Sequence, residues 1–407
     1  MVITPVLIGV LALQVQDELE ISNRALSLCV TWFWVCTALT AALGGRHVDR
    51  LGWRRMAAIG LAACAVGQLG IAAGGSVFSL VACLTVAGFA YGVIAPTSNL
   101  VLVEEIPARL RGTTLGAKQS VAPVAGLLAG LAVPFVALTI GWRWSFVLVA
   151  LLPIAGVALS WPPTVRARRS DSGAGPGPGA QDAPASDGSV PGPQSAPASA
   201  GRSISLTQIV VAAGLGTLSI GALTTFSVRT MTDAGVEVSV AGLVISAASL
   251  AALLVRVVAG WLTDRYKSDG LRPASLVILS GAVGMVGMAS GDSTLTVLGT
   301  VLAFCGAWGW PALLLLGVLT HHAAQPAAAS GKFQLGTALG AAVGPLLFAA
   351  VSDLAGFAVA WMAVAACTVG SALLVTLGGR GRGRAGQETP PKGGSYRLMP
   401  WTDRKVK

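Results

Sequence analysis

The chain has 407 residues, of which 54% are hydrophobic and only 11% charged, too little polar surface to cover a soluble globule of that length. It reads as an integral membrane protein. The net charge of +10 does not point to nucleic acid, because the basic residues stand between apolar runs rather than on one soluble surface.

A bilayer core of about 30 Å takes roughly 20 apolar residues per helix. Twelve candidate spans begin near residues 2, 25, 56, 77, 112, 144, 205, 239, 273, 294, 331 and 356. The first is short, with roughly 15 residues before Gln16 and Asp17, and by comparison with span 7 it lacks about a dozen residues at its start. A cleaved signal peptide is the rival reading, but VQDELE after the apolar run offers no small-residue cleavage site. All six cysteines (Cys29, Cys36, Cys64, Cys83, Cys305 and Cys367) lie inside apolar runs without a C-x-x-C and read as small core residues.

Between spans 2 and 3, Gly44 to Arg55 reads GGRHVDRLGWRR. Four arginines, a histidine and an aspartate between two apolar runs predict a short wet loop at a membrane face. A second copy, GWLTDR at Gly260 to Arg265, follows span 8, again with Gly four residues before Asp-Arg and 215 residues later. The same offset takes Pro96 to Pro311, Gly116 to Gly331, Gln119 to Gln334 and Gly141 to Gly356. Ahead of the loop, LEIS at Leu19 to Ser22 answers VEVS at Val236 to Ser239 with an offset of 217, which implies a two-residue indel. The chain reads as two similar halves, the layout of a secondary transporter with its site between repeats.

Gly45, Asp49, Arg50, Gly52, Arg54 and Arg55 match G-x-x-x-D-R-x-G followed by basic residues, and the loop resembles the signature between helices 2 and 3 of the major facilitator superfamily. His47 and Trp53 depart from the pattern, and the second copy has Lys267 in place of Gly52. The resemblance covers nearly the whole chain outside the linker and tail. It implies an all-α membrane fold of twelve transmembrane helices in two six-helix pseudo-symmetric bundles. It also implies a gating role for Gly45, Asp49, Arg50, Gly52 and Arg54, and for Gly260, Asp264 and Arg265 in the second copy. In that role Asp49 meets the amino-terminal end of span 11 near Gly331 as a cytoplasmic latch, worth roughly 0.3 to 1 kcal/mol through the helix dipole. Asp264 meets the start of span 5 near Gly112 in the same way.

The organisation follows. Residues 1–161 form the first six-helix bundle and 204–379 the second. Residues 162–203, rich in Pro, Gly, Ala and Ser with no hydrophobic period, form a disordered linker, and 380–407 form a basic tail near lipid headgroups. The segments 46–55, 109–111, 166–202, 265–272 and 380–407 hold 21 of the 27 Lys and Arg, whereas Arg24, Arg143 and Arg229 fall on the other side. Both termini are therefore expected in the cytoplasm of a cell with a bacterial-type plasma membrane.

Polar and aromatic residues near mid-span are the ligand candidates: Asn99, Gln119, Thr225, Trp308, Trp310 and Gln334. A buried polar side chain in a bundle is more often interhelical glue. Gln119 and Gln334 carry more weight as repeat mates. Gly112, Gly116, Pro123, Gly126 and Gly130 in span 5, and Gly336, Gly340, Gly344 and Pro345 in span 11, read first as close-packing residues. SVAPVAG at Ser120 to Gly126 only partly resembles the GPxxGG pattern of the family's drug/proton antiporters, since Ala122 and Ala125 replace glycines. His321 and His322 are too few for a metal site. No acid lies deep in a span, so no carboxylate relay is evident and the coupling ion stays open.

Two cations are different. Lys118 lies about 10 Å past Arg111 along its helix, and Arg256 about 12 Å before Asp264. The repeat mate of Arg256 is Ala41, so the fold itself does not require a charge there. The expectation is a transporter of a small organic or inorganic anion, with Lys118 and Arg256 as charge partners, acting as a monomer in the lipid bilayer without cofactor or metal. GAKQSVAP and GWGWPALL loosely resemble cyanate and organic-anion permeases. Proton-coupled efflux of drugs or metabolites is the alternative. A membrane-embedded enzyme lacks a nucleophile-base pair at any one depth, and a transport-dead sensor would show a broken first motif.

Overall fold

The computed structural model describes the backbone of residues 1–51, 53–105, 119–160, 204–266, 270–322 and 326–379; at 41–51, 53, 95–105, 160, 264, 326–328, 330 and 379 it describes the backbone alone. Every regular element among the described residues is a helix, as a bilayer demands of a chain whose backbone groups find no water to bond. Span 1 is two short helices, α1 (Ile3–Val10) and α2 (Ala12–Leu19), jointed at Leu11. Next come α3 (Asn23–Leu51), α4 (Trp53–Ala73), α5 (Val77–Glu105) and α6 (Val121–Ala132), which runs into a π turn at Val133–Ala137, then α7 (Trp142–Ser160). After 161–203, α8 (Leu206–Asp233), α9 (Val238–Arg265), α10 (Leu271–Met288), α11 (Ser293–His321) and α12 (Pro326–Gly379) follow. Eight segments are long and apolar enough to cross a membrane. The one in α12 is two crossings, because Gly356 breaks it at φ 86°, ψ 167°. With α1–α2, α3 and α6, the crossings among the described residues number twelve.

Helix starts obey local chemistry. Ser205 and Gln208 form a reciprocal capping box at the head of α8, and Asp292 accepts the Leu295 amide at the head of α11. The starts expected near 25, 77, 205, 239 and 294 fall at 23, 77, 206, 238 and 293. The basic motif departs from expectation. Its residues up to Leu51 continue α3 and Trp53 opens α4, leaving only Gly52 between the helices. From Arg46 to Leu51 there is neither Gly nor Pro, so no residue type in the run breaks a helix. GWLTDR likewise forms the last turns of α9.

The backbone also corrects the two-residue indel. Glu20 (φ 53°) and Gly235 (φ 85°) are left-handed residues 215 apart, α3 and α9 begin 215 apart, and Gly141 (φ 100°) and Gly356 (φ 86°) repeat the relation. The resemblance of LEIS to VEVS is therefore out of register by two, a chance likeness of flanking apolar residues. At the crossing of α1 and α8 a residue meets its own counterpart: a Cβ on Gly9 would stand 2.1 Å from the carbonyl oxygen of Thr224, 215 positions on. Only a glycine lets the two backbones approach so closely.

Packing joins α4 to α5 and α7, and α3 to α5. It also joins α12 to α8 and α10, and α11 to α9 and α10. Two long seams link these sets, α6 against α9 and α3 against α12. An aromatic cluster of Phe226, Phe348, Phe357 and Trp361 fixes both limbs of α12 to α8, and Trp361 Nε1 donates to Thr230 Oγ1 at 2.9 Å.

The ends of α3 and α9 that carry the two motif copies define a basic face. On the opposite face, Arg143 ties three helices together. Its Nε and Nη2 donate to Glu18 Oε1 at 3.0 and 2.7 Å, and its Nη1 donates to the carbonyls of Ala72, at 3.0 Å, and Gly74. Trp142 Nε1 donates to the other oxygen of Glu18. Arg143→Ala is expected to lower stability by about 1 to 3 kcal/mol, since carbonyls at the end of α4 lose a charged donor. Arg143→Lys recovers only part of it, because an ammonium cannot fork to a carboxylate and two carbonyls; thermal unfolding of the purified protein measures both.

Candidate functional site

The α6–α9 seam is built from small residues. A Cβ on Gly126 would lie 2.4 Å from Ser249 Oγ, and one on Gly130 would lie 2.4 Å from Ser246 Oγ. Gly126 and Gln119 are seven residues apart, as are Ser249 and Arg256, so each pair shares a helix face two turns on. Seven residues toward the basic face, the seam therefore brings Arg256 against Gln119. There the Arg256 Nη1 donates to the Gln119 backbone carbonyl, while Nε donates to the Trp308 carbonyl at 3.0 Å and Nη2 to that same oxygen. One guanidinium thus joins α6, α9 and α11. Pro311 helps make this possible, because it supplies no amide to the Ala307 carbonyl and loosens α11 beside Trp308.

Arg256 is only 6% exposed, and among the described residues no carboxylate pairs with it. Removing a cation from water without a counter-charge costs several kcal/mol, and carbonyl dipoles offset only part of that. A guanidinium carries five N–H donors, more than its two carbonyl partners consume. The arrangement is a buried positive charge that can accept further anionic or acceptor atoms.

The other sequence candidates divide. Trp308 is buried and its indole Nε1 has no hydrogen-bond partner, so an N–H donor stands unused one helix away from α9. Ser249 Oγ, in the seam, is likewise buried and unpartnered. Trp310 is core: it is 1% exposed, lies edge-on to Phe333 at 6.3 Å and fills the space over Gly216. Thr225 is also core, its hydroxyl donating to the Gly221 carbonyl at 2.9 Å in its own helix. Gln334 is exposed on α12, about 100° round the helix from the exposed Leu335. Gln119 contributes its backbone oxygen rather than its side chain, a role no residue type announces. Asn99 lies on α5 and Asp264 on α9, with their side chains outside the described residues, and Lys118 and Gly52 lie outside them altogether. Gly45, Asp49 and Arg50 are placed as backbone on α3. Arg54 and Arg265 are exposed, and the space beside Gly260 is open.

Two hydroxyls that sequence reasoning passed over join the seams. Thr31 Oγ1 donates to the Ala342 carbonyl at 2.7 Å across α3 and α12, and Ser246 Oγ donates to the Leu127 carbonyl at 2.9 Å across α9 and α6. The 215-residue offset relates both donors and both acceptors. Searching hydroxyls at that offset would have found the donors. Arg24 and Asp353 form an ion pair on the opposite face, beside a cavity of about 530 Å³ lined by Asp17, Glu20, Asn23 and Arg229.

A family model of the Major Facilitator Superfamily matches residues 3–313 and again 204–404. The chain belongs to the Major Facilitator Superfamily. The chain is 27% identical over 146 residues to an uncharacterized MFS-type transporter of Mycobacterium tuberculosis, over 36% of this chain and 25% of that protein. It is 24% identical over 145 residues to the hexuronate transporter of Bacillus subtilis, over 36% of this chain and 34% of the relative. The chain thus spans a quarter to a third of the length of these curated relatives. Among solved structures, a bacterial homolog of the human lysosomal transporter Spinster, inward-facing and occupied, aligns with TM-score 0.67 at 13% identity, covering 94% of each chain. The nucleoside transporter NupG aligns with TM-score 0.68 at 13% identity, covering 93% of this chain and 96% of that one. These superfamily structures establish the shared fold.

The two tryptophans should separate experimentally. Trp308→Phe leaves a smaller ring but removes an unpartnered donor that costs about 1 to 3 kcal/mol when buried, which offsets the cavity, so the ligand-free protein should melt close to wild type. Trp310→Leu should lower the melting temperature markedly by opening space over Gly216.

Proposed function

We propose that the protein is a secondary transporter of a small organic or inorganic anion, moving it by alternating access between α1–α7 and α8–α12, with Arg256 as the charge that receives it. The observation that carries this reading is the Arg256 guanidinium, buried between two halves on carbonyl oxygens alone. An anion arriving there forms charge-assisted hydrogen bonds, stronger than the neutral contacts it joins, and supplies the missing counter-charge. Trp308 Nε1 offers a neutral donor nearby on α11, and Lys118 is assigned the second positive charge. Gln119 and Gln334 are assigned hydrogen-bonding roles at the cavity. That one relative is named a hexuronate transporter, a hexuronate being a sugar carboxylate, agrees with a negatively charged substrate.

The orientation is read from the sequence, in which most Lys and Arg fall in the segments that share a side with the two motif copies. Both termini and the 162–203 linker are assigned to the cytoplasm of a plasma membrane, with the monomer as the working unit. Asp49, at the end of α3, is assigned the latch toward the start of α12. The basic face opens when that latch lets go.

Binding of small carboxylates, inorganic anions, neutral sugars and lipophilic cations to the purified full chain tests the substrate class. Arg256→Gln should weaken anion binding at least tenfold, an estimate from the roughly 1.5 to 3 kcal/mol of a charged hydrogen bond, while the inserted, folded amount stays near wild type. Tight binding of a lipophilic cation, equal or better in Arg256→Gln, would overturn the anion reading and favour proton-coupled efflux instead. Asp49→Asn should slow transport by reconstituted protein more than it lowers the melting temperature, and Asp264→Asn should do less, because its copy of the motif lacks the glycine. Unchanged transport in Asp49→Asn would remove the latch from the mechanism.

A further inference from the structure

The hydrogen bonds Thr31 to Ala342 and Ser246 to Leu127 lie on different seams, but they are one interaction used twice. Each donor sits eight residues into its helix, from Asn23 in α3 and from Val238 in α9, roughly 12 Å from the face opposite the basic one. Each acceptor is a carbonyl already inside a helix, which has a second lone pair to give. Threonine and serine on a helix ordinarily return their hydroxyl to their own helix, as Thr37, Thr225 and Thr230 do here. Thr31 and Ser246 instead reach across to the other half, and Ser246 does so at 2.9 Å against 3.2 Å for its own Gly242 carbonyl.

The other side-chain bridges described between the halves lack this symmetry. The repeat mates of Arg24 and Asp353 are Ser239 and Leu138, and the mate of Arg256 is Ala41, so neither ion pair nor guanidinium bridge can occur twice. The structure assigns Thr31 and Ser246 as paired positioning residues that hold the face opposite the basic one closed, one on each seam about the pseudo-twofold axis near Gly9. Because two rigid halves rock about that axis, loosening one seam loosens the other. The assignment rests on the two-halves reading and not on the charge of the substrate.

The test uses Ser249→Cys as reporter. Ser249 is fully buried in the α6–α9 seam, about one turn deeper than Ser246, and its hydroxyl has no partner to lose. The full chain in nanodiscs is treated with a membrane-impermeant maleimide, and labelling of the six native cysteines is subtracted using the parent protein. Ser246→Ala should raise the reporter's labelling rate about threefold, and Thr31→Val, on the other seam, should raise it by a similar factor, with the double variant near tenfold. Thr31→Ser should label like wild type, and Thr31→Ala replaces Thr31→Val where the valine variant does not fold. A rise with Ser246→Ala but none with Thr31→Val or Thr31→Ala would overturn the proposal, since each bond would then serve only its own seam. No change in any variant would overturn it as well. Because no substrate enters the assay, an anion-binding failure of Arg256→Gln leaves its outcome untouched.

Discussion

Helices in a bilayer are not driven together by the hydrophobic effect, since lipid tails are as apolar as leucine, so association has to come from close van der Waals contact and hydrogen bonds. That constraint shapes the molecule. Where α1 crosses α8 and where α6 meets α9, glycine and serine bring backbones within reach of each other. Close approach then exposes helix carbonyls to donors on the neighbouring helix. The Ser246 hydroxyl bond and the Arg256 bridge both depend on it, for a bulkier residue at Gly126 or Gly130 would hold the α6–α9 seam too wide for either.

Against this repeated framework, Arg256 stands without a mate inside the seam, as the half-exposed Arg24–Asp353 pair does at the opposite face. Left-handed turns and seam hydroxyls recur 215 residues apart, whereas the guanidinium has alanine as its mate. A charge required by the architecture would be expected on both seams. That the guanidinium is present once, buried and bonded only to carbonyls is what the proposed anion site rests on.

Much of the fold was legible because its signals are coarse and physical. Apolar run length located the spans, and Gly141 and Gly356 marked the same left-handed corner in both halves. The errors came where one residue's chemistry admits two structures. Arginines and an aspartate between apolar runs suggested a loop, yet charged residues tolerate a helix, and the backbone is helical up to Leu51 and again from Trp53. LEIS and VEVS look alike, but the left-handed residues Glu20 and Gly235 set the true register. Trp310 and Thr225 read as ligand candidates and are core, because sequence gives depth along a helix more readily than direction around it. Gln119 was singled out for its amide, and the structure uses its main-chain oxygen, which every residue possesses.

A strong ion pair across a gate resists opening, because separating it strands charges in a poorly solvated place. A hydroxyl has an alternative at hand: when the seam parts, it can turn back to its own helix, as Ser246 already half does toward Gly242 at 3.2 Å. The acceptors Ala342 and Leu127 likewise keep their helical bonds. Closure is then favoured by two modest bonds whose breaking leaves no polar group stranded, and by the Arg24–Asp353 pair, whose half-exposed charges water can solvate when it parts, which allows the two states of a rocking bundle to lie close in free energy. A substrate can shift an equilibrium only by its differential affinity for the two states, and so a gate held this lightly is one that a small solute can move.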